Sequence, residues 1–204
     1  IKNYFQDKII SSTESIGRIY EITSRLDNAA KGEVIFAAMD TLSEIMGSKD
    51  VSIYLVSNKE YCRLAAASSE KARLLGKSIN MNKYKIIFDT LRNNQVFINR
   101  SLDDGLPMMA SALYDSEAHM KIVIFLWDIP YEQMTLYQAN LLTVVGSLIY
   151  HGVVRDANYL EALAYQRFVP NTKILQETAF DEILEIYTKA SQKGYADISV
   201  INIP

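Results

Sequence analysis

Residues able to do chemistry are sparse in this chain of 204 residues, and they lie apart. There are two histidines, His119 and His151. Neither has a cysteine beside it or a carboxylate at ligand spacing, so both read as structural or surface residues and no metal site is expected. The single cysteine, Cys62, excludes an internal disulfide and fits a reducing cytosol. Arg63 follows it, and an adjacent guanidinium can lower a thiol pKa toward a redox-active thiolate. The competing reading is a packed strand cysteine, and the lack of a resolving partner favours it. Asp103 and Asp104 could hold a cation, but two carboxylates before Gly105 ordinarily make a turn. No glycine-rich phosphate loop and no Walker pattern occurs. An enzyme is not expected, and no cofactor is implied.

The elements that would position these groups turn on the run from His119 to His151. Met120, Ile122, Ile124 and Leu126 are apolar, and so are the alternate positions Val123, Phe125 and Trp127. A strand apolar on both faces is central and covered on both sides. Pro130 ends it, because proline has no N–H for a ladder. Met134, Tyr137, Leu141, Leu142, Val145, Leu148 and Ile149 then recur at helical spacing. The helix is expected to run on to Gln166, with Gly146 or Gly152 free to bend it. The net charge is −3, with no basic stripe, so a nucleic-acid polymer is not an expected partner. No apolar stretch is long enough to span a membrane. The chain opens on Ile1 without a signal-peptide pattern and is read as a piece of a longer protein.

Before this run, residues 3–28 read as a helix. Phe5, Ser12, Ile19 and Leu26 lie seven apart, as do Ile9, Ile16 and Thr23. Two readings stand: a coiled-coil stalk, or an amphipathic helix lying on its own domain. Glu33 to Met46 is a second helix, stopped by Gly47. Val51–Ser57 and Tyr61–Ala67 read as paired strands. Lys77–Met81 is a short strand, Asn82–Arg92 a helix and Gln95–Ile98 a short strand. Asn99–Pro107 is a loop, and Met108–Tyr114 is a strand. After the long helix, Phe168–Thr172 is a break and Thr178–Gln192 a helix. Asp197–Ile203 (DISVINI) is expected to be a strand.

This succession over Ala30 to His151, closing on WDIPYEQMTLYQANLLTVVGSLI, resembles the GAF domain. The resemblance implies an α+β, PAS-like fold: a twisted antiparallel sheet with helices packed on one face. Variable segments on the other face would enclose a ligand pocket. From those segments come the candidate ligand-binding residues Tyr54, Arg63, Tyr84, Phe88, Phe97, Met109 and Tyr114. Aromatics with one guanidinium suit a planar or anionic ligand, although the same residues can simply fill a core. Some GAF domains attach a chromophore through a cysteine, which gives Cys62 a further candidate role.

The tail, from YQRFVPNT through DISVINI, resembles the opening of a GGDEF domain. Val169-Pro170-Asn171-Thr172 does not keep the usual Thr-Gly-Leu. Asn202-Ile203-Pro204 replaces the Asp-containing end that cyclases use to hold a metal, which implies a degenerate, non-catalytic unit. The expected organisation is a stalk helix over 1–29, a GAF domain over 30–152, and a connecting helix with the start of the degenerate unit over 153–204. A GAF domain joined by a continuous helix to a degenerate GGDEF domain resembles the PelD family. That resemblance implies a cyclic di-GMP-responsive regulator of exopolysaccharide biosynthesis; a constitutive dimerisation or docking scaffold and a GAF sensor of another small molecule are the alternatives. It would be the cytosolic portion of an inner-membrane-anchored protein, homodimeric through its helices, with polysaccharide-synthesis proteins as partners. The family's Arg-x-x-Asp nucleotide turn would lie beyond Pro204, so cyclic di-GMP is expected there rather than in the GAF pocket. Arg100 and Asp103 have the same spacing but sit in a GAF loop.

Overall fold

Six strands form one antiparallel sheet in the order β3-β2-β1-β6-β5-β4. They are β1 (Val51–Val56), β2 (Tyr61–Ala67), β3 (Ser78–Asn80), β4 (Phe97–Ile98), β5 (Met109–Tyr114) and β6 (Met120–Leu126). The helices are α1 (19–28), α2 (Val34–Met46), α3 (Lys85–Arg92), α4 (Leu136–Ala162), α5 (Ala164–Arg167) and α6 (Glu177–Gln192). The structure is a computed structural model and describes residues 17, 19–58 and 60–201. The heptad positions Phe5, Ile9, Ser12 and Ile16 lie outside the described residues, as do the last two residues of DISVINI.

Strand β6 is central, between β1 and β5. Its alternate residues feed two cores, as its doubly apolar pattern requires. Ile122, Ile124 and Leu126 face the helices, where they meet Ile22 and Leu26 of α1, Met39 and Leu42 of α2, and Leu142, Val145 and Ile149 of α4. Val123, Phe125 and Trp127 face the other side, with Tyr54, Cys62, Ile79, Phe88, Leu91 and Phe97. Each fully buried large apolar side chain contributes roughly 1.5–3 kcal/mol.

Local signals set the helix ends. Gly47 stops α2 at φ 63°, a left-handed cap suited to glycine. Thr135 caps α4 by accepting the Gln138 N–H. The long helix breaks at Leu163, not at either glycine. Gly146 and Gly152 instead let α4 come close to its neighbours. A Cβ at 146 would lie 2.7 Å from Leu113 Cδ2, and one at 152 would lie 3.3 Å from Val34 Cγ1.

Between Ile22 and Leu26, α1 behaves as an amphipathic helix on its own domain. Both side chains are buried in the shared core. Leu26, counted in the heptad seam, therefore faces inward among the described residues. The expected strand over DISVINI is corrected: residues 197–201 carry no ladder. Alternating apolar residues make a strand only beside another strand, and these five are exposed. α6 folds back onto α2, with Phe36 and Tyr187 edge-on at 5.6 Å. Val169 N–H donates to the Ile174 carbonyl, closing the Pro170–Asn171 turn between α5 and α6.

Candidate functional site

The face of the sheet away from α2 and α4 carries an aromatic cluster. Tyr54 and Phe125 meet edge-on at 5.4 Å, Phe88 and Phe125 at 6.5 Å, and Phe125 and Trp127 at 6.3 Å. Their polar ends are satisfied. Tyr54 O–H donates to the Gly76 carbonyl at 2.8 Å, and Trp127 Nε1–H donates to Ser52 Oγ at 3.1 Å. Side chains fill the space beneath α3.

The seven candidate residues do not converge on one cavity. Tyr54, Phe88 and Phe97 are buried within this cluster, and Tyr84 is half-buried at its margin. Tyr114 sits at one end of it, its O–H donating to the Leu91 carbonyl. Arg63 is exposed, because strand alternation turns it outward when Cys62 turns inward. Met109 is buried on the opposite face, against the helices. Cys62 is packed and its thiol is pushed up to about 12 by burial, which leaves it un-ionised at neutral pH. A thiolate role therefore has no support in its surroundings.

An open cleft does lie at the tips of the β1–β2 and β5–β6 hairpins. It encloses about 470 Å³, with Val56, Met81, Tyr114 and Met120 as its apolar lining. Ser57, Asn58, Arg92, His119 and Lys121 supply the polar lining. Each basic side chain there has a carboxylate close by. Arg92 pairs with Asp89 at 2.9 Å and Lys121 with Asp115 at 3.1 Å. His119 Nδ1 lies 3.5 Å from Asp115 and 3.4 Å from Glu117. The tight turn after β5 brings both carboxylates to His119, where none was expected at ligand spacing. The N–H of His119, assisted by Lys121 and the Glu117 N–H against some desolvation, holds Asp115 down to about 2. The cleft thus offers an apolar body and exchangeable ion pairs. That suits a small amphipathic ligand whose acidic group can replace one carboxylate.

Sequence reasoning named only Tyr114 among the cleft residues. Most of the others come from two turns far apart in sequence, joined because Leu55 of β1 pairs with Ile122 of β6, while Met81 follows β3 and Arg92 ends α3. The Arg100–Asp103 loop is committed to its own geometry: Asp103 accepts the Gly105 N–H, and buried Asn99 donates to the Asp103 carbonyl. Among the described residues no group of histidine, cysteine and carboxylate side chains could hold a metal ion.

No family model matches this chain, and no curated protein matches it. Solved structures do. Residues 122 to 287 of a methyl-accepting chemotaxis protein superpose with a TM-score of 0.54 at 12% identity, covering 69% of this chain and 99% of that one. PelD from Pseudomonas aeruginosa PAO1, residue 158 to its C-terminus, gives 0.53 at 11% identity, covering 71% of this chain and 51% of that one. PelD 156–455 from strain PA14, solved in complex with c-di-GMP, gives 0.50 at 11% identity, covering 65% and 47%. The fold is the GAF fold. At these identities the likeness is one of fold alone, and the chain spans about half the length of the PelD fragments it matches.

Proposed function

We propose that this chain is a non-catalytic signalling module, the GAF portion of a cyclic di-GMP-responsive, PelD-like regulator of exopolysaccharide biosynthesis. The observation that carries the reading is that the sheet and the helices leading away from it share one core. α4 rests on β5 through Gly146, α2 rests on α4 through Gly152 and Val34, and α6 returns to α2. A shift of β5 and β6 at the hairpin cleft would reach these helices by direct packing. Ligand binding would then act by population shift between helix arrangements. The cleft would take a small molecule, with Tyr114 in its lining and Tyr54, Tyr84, Phe88 and Phe97 behind it. Cyclic di-GMP would bind elsewhere, in the degenerate GGDEF-like unit that residues 153–204 begin. Support for the nucleotide is the PelD fragment of the same fold that was solved with it. In this reading the module is a homodimer through α1 and α4, works at the cytosolic side of the inner membrane and contacts polysaccharide-synthesis proteins. No helix of the described residues is long and apolar enough to cross a membrane.

One observation favours a second reading, a constitutive docking scaffold. The interior of the aromatic face is filled, and Arg63 points out of it. Calorimetric titration of cyclic di-GMP into residues 1–204, and into the protein as the cell makes it, separates the two. The regulator reading expects binding to the native protein and none to residues 1–204. Binding to residues 1–204 moves the receptor site into this chain. Silence from both removes the nucleotide and leaves the scaffold.

A further inference from the structure

A second cleft lies where the C-terminal segment docks against the sheet. It encloses about 320 Å³, at the lower end of the range of about 300–1,000 Å³ in which ligand sites fall. Phe36 and Leu64 belong to the sheet domain, as do the cations Arg73 and Lys77, while Tyr187 and Tyr195 come from α6 and the residues after it. The segment is held in place by named bonds. Ala67 N–H donates to the Tyr195 carbonyl at 3.0 Å, and Arg73 Nη2 donates to the Gly194 carbonyl at 2.6 Å. Lys193 donates to Asp40 at 2.9 Å, and Tyr195 O–H donates to the same carboxylate.

Two features mark this cleft as more than a packing gap. The Arg73 side chain is only 18% exposed, and its hydrogen bonds go to Glu70 and the Gly194 carbonyl. A guanidinium has five N–H donors, so it keeps donors for a planar acid. Lys77 is paired with Asp197 at 2.8 Å, but their side chains are 77% and 62% exposed. Such a pair is weak and readily exchanged for a ligand acid. The aromatic walls suit a flat ring.

We propose that this cleft is a binding site for a small aromatic carboxylate or phosphate, and that occupancy holds the C-terminal segment on the sheet domain. The ring lies among Phe36, Tyr187 and Tyr195, and the acid takes Arg73 and Lys77 in place of Asp197. Because the walls come from both units, such a ligand binds the docked arrangement alone. Linkage then stabilises docking as ligand concentration rises past Kd. The site and ligand differ from those of the regulator reading, and neither depends on cyclic di-GMP.

The test is a ¹⁵N-NMR titration of the whole chain with indole-3-acetate, salicylate and phenyl phosphate, each at millimolar concentration, with indole-3-acetamide as the neutral control. The expected result is saturable shifts at Ala65, Arg73, Tyr187 and Tyr195 with at least one acid. Slower exchange of the Ala67 amide and no response to the amide control should accompany them. Lys77→Gln changes an exposed side chain and should leave the fold intact. It should weaken binding about threefold, the loss of one exposed ion pair. No shift with any of the three acids overturns the proposal. So do shifts confined to the hairpin cleft, equal binding of the amide, or an unchanged affinity in Lys77→Gln.

Discussion

At position 146 a hydrogen stands where every other residue type carries a β-carbon, and it sets the distance between the closing helix and the sheet. A Cβ there would meet Leu113 Cδ2 at 2.7 Å, inside a packed core. Two effects oppose one another in Gly146→Ala. Alanine gains up to about 1 kcal/mol of helix propensity. Overpacking a filled core costs about 1–3 kcal/mol. Leu113 is 6% exposed and has little room to swing away, so the overpacking wins. The variant is expected to lose about 1 kcal/mol in urea denaturation. Adding Leu113→Val removes the clashing atom, and the double variant should be more stable than Gly146→Ala alone. A Gly146→Ala variant more stable than wild type would mean that the helix does not sit this close. The same glycine shows what sequence can hide. Its place in a long periodic run reads as a bend, whereas its role is an approach that only the partner strand reveals.

Elements were legible where periodicity and punctuation agreed. The β1–β2 pair, α2 with Gly47 and the β6–Pro130–α4 succession all stand where the spacing places them. DISVINI failed because alternation reports an apolar face and not the presence of a neighbouring strand. The candidate site was less legible, since pocket residues depend on register. Met109 is one residue away from the face it was assigned, and Arg63 follows Cys62 outward. Helix α1 divides the two readings of its heptads. Ile22 and Leu26 serve the core, but Ile19 is 41% exposed beside Val144 at 43% and Tyr137 at 63%. Ile19, Ile22, Tyr137, Leu141 and Val144 line an apolar groove between α1 and α4. If the proposed homodimer forms there, Ile19→Asp with Val144→Asp should give a monomer by light scattering, with an unchanged circular dichroism spectrum. An unchanged mass in the double variant, or a monomeric wild type, removes the helical dimer.

Across the whole molecule, stability is divided between an apolar centre and a polar clasp. The centre is the pair of cores on either side of β6, which contain few ionisable groups. The clasp joins α6 and residues 193–197 through carboxylates to α2 and to Lys77, just before β3. Partial burial pushes Asp40 up, but hydrogen bonds from Tyr195 and Lys193, with the Lys193 and Arg25 charges, more than offset this and leave it below its ordinary value. Asp197 is lowered by its hydrogen bond from Lys77 and by the charges of Lys77 and Arg73. Lys189 reaches Glu33 at 3.9 Å on the same seam. A carboxylate whose folded pKa is depressed stabilises the docked form above its unfolded pKa, near 4, and that contribution is lost as pH falls through the lower folded value. The clasp should therefore open below roughly pH 4 while the cores persist. Two reporters separate the events. The Ala67 amide donates to Tyr195, so its resonance follows docking. Trp127, the single tryptophan, is buried in the aromatic core, so its emission follows the centre. On acidification the Ala67 resonance should move first, and Asp40→Asn should flatten that step while loosening the segment at neutral pH. If both reporters change in one transition at the same pH, the C-terminal segment is an inseparable part of the domain and the clasp does not open on its own.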